Sequence, residues 1–171
     1  MRSMGYHQDN ANYPGTNTEA TTSMTAWTIL HVDDDPNDLL LLKHACRAAN
    51  LNYSVECAAD GEVAISYLSG ENPYANRQQY PMPNLLLLDL KMPRKTGFEV
   101  LEWVRRQSSL RRMVVFVFTS SRHQEDIDRA YELGANGYLV KPVGFDRLVE
   151  ELQALNQWLQ LNERPSIQAA V

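Results

Sequence analysis

The sequence predicts an α/β fold built as a doubly wound parallel sheet with helices on both faces. Three observations lead there. Short apolar runs alternate with segments of helical periodicity five times along the chain, the pattern of consecutive βα units. The runs Leu85-Leu86-Leu87-Leu88 and Met113 to Phe118 are apolar without alternation, as in strands covered on both faces. The predicted strands run into polar residues: Asp33-Asp34, Asp89, Thr119 and Lys141.

Residues 1–25 are rich in Thr, Asn and Ser and offer little apolar surface to bury, so a disordered N-terminal tail is expected. The folded domain is expected over 26–161. Trp27 to Val32 reads as the first strand. Asp35 and Pro36 suit the cap and first turn of a helix, with Leu39, Leu42, Ala45, Cys46 and Ala49 inward and Asn50 at its end. Tyr53 to Cys57 is a second strand, and Asp60-Gly61 opens a second helix with Val63, Ala64, Tyr67 and Leu68 inward.

The polar stretch from Gly70 to Pro83, with three prolines, reads as a long surface loop. A third strand ends at Asp89. Its helix follows Gly97, with Val100, Leu101 and Val104 inward. A fourth strand ends at Thr119-Ser120, and a helix follows from about Gln124 to Leu133. A short fifth strand, Gly137 to Val140, is broken by Lys141-Pro142. The last helix, Phe145 to Leu161, carries Phe145, Leu148, Val149, Leu152, Leu155 and Leu159 as a core stripe. Its second stripe, Ala154, Trp158 and Leu161, is expected at a homodimer interface rather than folded back on its own domain. Residues 162–171 are read as a C-terminal tail, too short for an output domain.

Composition narrows the functional classes. At 44% hydrophobic and 22% charged the chain is an ordinary globular protein, long enough to bury a core without staples. A net charge of −5 disfavours nucleic acid as a partner. The one basic group, Arg105, Arg106, Arg111 and Arg112, reads as solvated surface. Cys46 and Cys57 lack metal-ligand spacing and read as buried free thiols, which fits a reducing, cytoplasmic compartment. No apolar run approaches membrane-span length, and no export signal is evident. His31, His44 and His123 lack ligand spacing and read as satisfied structural or surface residues.

In an open α/β sheet, ligands sit at the carboxyl ends of the strands. Three carboxylates, a hydroxyl and an ammonium would converge there. Close carboxylates repel one another unless a cation joins them, and hard oxygen donors with room for water point to Mg²⁺. Such a site suits phosphoryl transfer, with Asp89 as carboxylate nucleophile and Thr119 and Lys141 contacting phosphoryl oxygens. The bland readings are a helix cap for Asp33-Asp34, turn residues for Asp89 and Thr119, surface charge for Lys141 and simple packing for Tyr138.

The ordered set Val32-Asp33-Asp34-Asp35-Pro36, Leu88-Asp89-Leu90-Lys91-Met92-Pro93 with Gly97, Thr119-Ser120, and Gly134 to Tyr138 leading to Lys141-Pro142 resembles a CheY-like response-regulator receiver domain from about Trp27 to Leu161. The resemblance implies a flavodoxin-like (βα)5 fold with strand order 2-1-3-4-5. It implies Asp89 as phosphoacceptor, and Asp34, Asp89 and the Lys91 carbonyl as Mg²⁺ ligands. Asp33 would act largely through a metal-bound water. Thr119 and Tyr138 would be the switch pair, Lys141 would hold the phosphoryl group, and the Lys141–Pro142 peptide would be cis. Side chains at Lys91 and Ser121 would flank the route of an attacking water.

The long loop and the Asp-Asp-Asp-Pro-Asn-Asp opening resemble single-domain regulators of cyanobacterial phytochrome histidine kinases. That implies a sensor histidine kinase as partner. Output would pass through the fourth helix, fifth strand and fifth helix, with a homodimer as first candidate and neither nucleic acid nor membrane involved. A haloacid-dehalogenase-like phosphatase would need a second acid two residues after Asp89, where Lys91 stands. A degenerate receiver acting only as a binding module would have lost an acid or the lysine. No Gly-rich phosphate loop supports a nucleotide hydrolase.

Overall fold

In the computed structural model, residues 27–163 and 165–167 are described. The proposed N-terminal tail and half of the C-terminal one lie outside them. Five strands, β1 (Thr28–Val32), β2 (Ser54–Ala58), β3 (Leu85–Leu88), β4 (Val114–Thr119) and β5 (Gly137–Val140), alternate with five helices, α1 (Pro36–Ala48), α2 (Gly61–Ser69), α3 (Gly97–Arg106), α4 (Gln124–Glu132) and α5 (Phe145–Leu161). The sheet is wholly parallel in the order β2-β1-β3-β4-β5, as the resemblance implied.

The β3 leucines show why the apolar run lacks alternation. Leu86 and Leu88 pack with Tyr67, Leu68, Val100, Leu101 and Val104 of α2 and α3. Leu85 and Leu87 pack on the opposite face with Leu42 and Cys46 of α1 and Leu148, Leu152 and Leu155 of α5. Burying a leucine this fully contributes about 2 kcal/mol. α4 closes a smaller cluster of Leu90, Phe98, Val117 and Ala130, against which Tyr138 packs.

Helix starts follow local chemistry. The Asp35 side chain accepts from the Asn37 amide at 2.8 Å, with Pro36 in the first turn of α1. Asp60 caps α2 through the Glu62 and Val63 amides. Thr96 and Glu99 form a reciprocal capping box on α3.

Several expectations need correction. Phe145, assigned to the core stripe of α5, is 39% exposed. It stands directly after Gly144, in the helix's first turn, before the stripe meets the sheet. Cys57 is only half-buried, because β2 is an edge strand; Cys46 is buried, and burial pushes its thiol up to about 11. Arg105 is not solvated. Its guanidinium donates to the carbonyls of Gly134 and Met113 and to Asn136 Oδ1, tying α3 to the turn before β5.

The 70–83 segment is more than a surface loop. Tyr74 and Tyr80 stack around Tyr67 with centroids 5.0 and 6.1 Å away, and Arg77 donates to the Tyr67 and Leu68 carbonyls at the end of α2. Among the described residues the one cis peptide is Asn72–Pro73, so Lys141–Pro142 is trans. Trp158 partly folds back, its ring edge-on to Phe116 at 5.2 Å while the residue stays 39% exposed. Ala154 and Leu161 remain exposed.

Candidate functional site

The parallel ladder does not stop where the strands do. The Asp33 amide donates to the Ala58 carbonyl (3.0 Å), the Asp89 amide to Val32 (3.0 Å), and the Lys141 amide to Thr119 (2.8 Å). Sheet hydrogen bonding therefore fixes the backbone of the polar strand-end residues in register. Their side chains meet above the carboxyl edge, as expected of an open α/β sheet.

Asp33, Asp34 and Asp89 each offer a carboxylate oxygen within 4.8 Å of the others. Asp33 and Asp89 are buried and Asp34 is exposed, so the cluster has a protein floor and an open side. The donors are hard oxygens, close enough to share one ion, with solvent access for water ligands. That fits a hard divalent cation.

The Lys141 ammonium bridges the acids. Nζ lies 2.7 Å from Asp33 Oδ2, 3.1 Å from Asp89 Oδ2 and 2.7 Å from Asp38 Oδ2. Burial pulls the lysine pKa down, but contacts with Asp33 and Asp38 and the Asp89 charge outweigh it and hold it above its ordinary value. Burial likewise pushes Asp33 up. The His31 and Lys141 side chains and the Asp35 amide outweigh that, and the carboxyl lies below its usual range. Asp89 Oδ1 accepts from the Leu90 and Lys91 amides at 2.6 and 3.3 Å, leaving Oδ2 toward Lys141.

The remaining predicted residues gather one step away. Thr119 is buried, and its Oγ1 accepts from the Ser121 amide at 3.4 Å. The half-buried Tyr138 donates its hydroxyl to the Ser121 carbonyl at 3.2 Å. Both switch candidates thus meet the 120–123 loop. The Ser121 hydroxyl donates to Asp126, turned toward α4. The Lys91 side chain is exposed.

Sequence reasoning missed Asp38 and the Asp60–Arg94 ion pair, which ties the start of α2 to the β3–α3 loop. A signal for Asp38 existed, since it lies one helical turn after Asp34. None existed for Arg94, which reaches Asp60 from a left-handed backbone position in the β3–α3 loop. His31 also needs correction: it is fully buried, and neither ring nitrogen has a hydrogen-bond partner among the described residues. His44 and His123 are exposed, as expected of surface histidines.

The sequence profile of the response regulator receiver domain matches residues 29–153. The chain belongs to the response regulator receiver family. This receiver domain is similar to response regulator Rcp1 of Synechocystis sp., with 32% identity over 139 residues, 81% of this chain and 92% of that protein. Among solved structures it resembles the phosphorylated cyanobacterial phytochrome response regulator RcpA (TM-score 0.75, 32% identity), covering 82% of this chain and 99% of that one. It also resembles RPA3017, a response regulator in red light signalling of R. palustris (TM-score 0.77, 33% identity), with the same coverage. The Mn²⁺-bound form of Rcp1 is a further neighbour (TM-score 0.72, 31% identity), again covering 82% and 99%. The receiver domain is thus a two-component signalling protein homologous to phytochrome response regulators.

Proposed function

We propose that Asp89 is the phosphoacceptor of this receiver domain, and that Mg²⁺ binds beside it through Asp33, Asp34, Asp89 and the Lys91 backbone carbonyl. The observation that carries the reading is three carboxylate oxygens within 4.8 Å of one another, with the Lys141 ammonium 3.1 Å from Asp89. When bound, the ion neutralises carboxylate repulsion and balances charge on phosphoryl oxygens.

An Asp89 carboxylate oxygen attacks the phosphorus of a phosphohistidine on a sensor histidine kinase. The new P–O bond forms as the P–N bond breaks, and the imidazole nitrogen keeps the electron pair and takes a proton. Lys141, held charged at the site, balances the phosphoryl oxygens. Thr119 gives up its contact with the Ser121 amide and donates its hydroxyl to the phosphoryl group. Tyr138 leaves the Ser121 carbonyl and packs inward. A local charge change thereby biases a two-state loop and helix arrangement.

The partner kinase is of the phytochrome type, a reading supported by the similarity to Rcp1 and RcpA. Output passes through a homodimer formed by α4, β5 and α5. The acidic net charge argues against nucleic acid as a target. Two free cysteines suit a cytoplasmic setting, and no helix among the described residues is long and apolar enough to cross a membrane. The chain's own chemistry is limited to its phosphorylation and dephosphorylation.

Incubation with acetyl phosphate and Mg²⁺, followed by intact mass, tests the assignment. Wild type is expected to gain one phosphoryl group and Asp89→Asn none. A wild type that gains nothing, or an Asp89→Asn variant that gains as much, overturns it.

A further inference from the structure

We propose that His31 is a positioning residue for Asp33, retained in the core against stability because it orients that carboxylate for divalent-ion binding. The inference rests on reading the acid cluster as a metal site.

His31 lies in β1 among Ile29, Leu30 and Val32, all fully buried, and is itself 0% exposed. Its ring is tilted on Phe118, with centroids 6.0 Å apart. Neither Nδ1 nor Nε2 has a hydrogen-bond partner among the described residues. A buried polar group without a well-formed hydrogen bond has much of its desolvation cost left over, and an apolar side chain of similar volume would remove it. Packing alone therefore gives no reason for an imidazole at this position.

The polar neighbour is Asp33. Nε2 lies 3.4 Å from Asp33 Oδ2, just outside good hydrogen-bond geometry. The other carboxylate oxygen is fixed by the Asp35 amide at 3.1 Å, and Oδ2 also faces Lys141 Nζ at 2.7 Å. His31 thus sits beneath the carboxylate as Lys141 sits beside it. A small rotation of the ring lets Nε2–H donate to Oδ2, which braces the carboxylate from the floor when an ion draws on the cluster from the open side. Groups that brace ligands from behind commonly set metal affinity tenfold or more.

Stability and affinity separate this role from a structural one. In the full chain, Mg²⁺ affinity is measured by calorimetric titration and the melting midpoint is measured in EDTA. His31→Leu is expected to melt at or above wild type and to bind Mg²⁺ about tenfold more weakly. His31→Gln, which keeps a donor, is expected to recover most of the affinity. Unchanged Mg²⁺ affinity in folded His31→Leu overturns the proposal, whatever its midpoint. If the leucine variant does not fold, the ring nitrogen resonances of wild-type His31 decide. They are expected to move on Mg²⁺ saturation, and static resonances overturn the role. A wild type that binds no Mg²⁺ overturns the metal site and this role together, whereas binding by wild type with no loss in the leucine variant overturns only the role of His31.

Discussion

The Lys141 ammonium lies 2.7 Å from a carboxylate oxygen of Asp38, a residue in the first turn of α1 and outside the acid triad. Asp38 is one of three carboxylates around the same nitrogen, with Asp33 and Asp89. It ties the lysine to α1. Asp38→Ala is expected to lower the rate of Asp89 phosphorylation by acetyl phosphate about tenfold without unfolding the protein, as loss of an orienting partner does. Lys141→Ala, which removes the charge itself, is expected to cost about 10²-fold or more. Equal rates for Asp38→Ala and wild type would refute the orienting role.

Gly97 sits where no side chain fits. A Cβ there would lie 2.0 Å from the Asp89 carbonyl oxygen and 2.9 Å from Leu90 Cα. Both contacts are backbone, so relief requires moving the end of β3. Gly97→Ala is expected to destabilise by about 3 kcal/mol or more, in the range of severe overpacking. It is also expected to lose phosphorylation, because the displaced segment carries Asp89. Denaturant unfolding and intact mass measure the two effects.

Arg105 looks like one member of a basic surface group, yet it closes carbonyls on two segments. Arg105→Ala is expected to cost about 2 kcal/mol in urea unfolding, from stranded acceptors. Arg106→Ala, whose side chain is exposed and, among the described residues, pairs with Glu102 on the same helix, is expected to stay within about 0.5 kcal/mol of wild type.

Asp60 gives the pH dependence a sign. Burial pushes its carboxyl up, but the Val63 amide, Arg94 and the Glu62 amide outweigh it, so the folded value lies below the ordinary 3.8. A depressed carboxylate contributes stability that is present above its unfolded value and lost as pH falls through its folded value. Asp60→Ala is expected to cost about 2 kcal/mol near neutrality, from the lost cap and ion pair. The gap to wild type is expected to stay constant down to about pH 4 and to narrow below that. A gap that is constant down to pH 2 contradicts the assignment.

What the sequence by itself determined was the fold and the content of the site. Strand-by-strand apolar runs, caps such as Asp35 and Asp60, and the breaking Lys141-Pro142 pair are local signals, because burial on two faces and end-capping are decided within a few residues. Asp33, Asp34, Asp89 and Lys141 were legible because each ends a strand, and a parallel sheet brings strand ends together. Only the tertiary structure decided which groups touch. Asp38 joins Lys141 across 103 residues, Arg94 crosses to Asp60, and Arg105 turns inward to Gly134. His31 proved to lack a well-formed hydrogen bond, with only a 3.4 Å contact to Asp33, and Phe145 was left outside the core that its spacing assigned it to. Such pairings depend on where separate elements pack and on rotamers chosen by their neighbours. Periodicity along one element carries no record of the element packed against it.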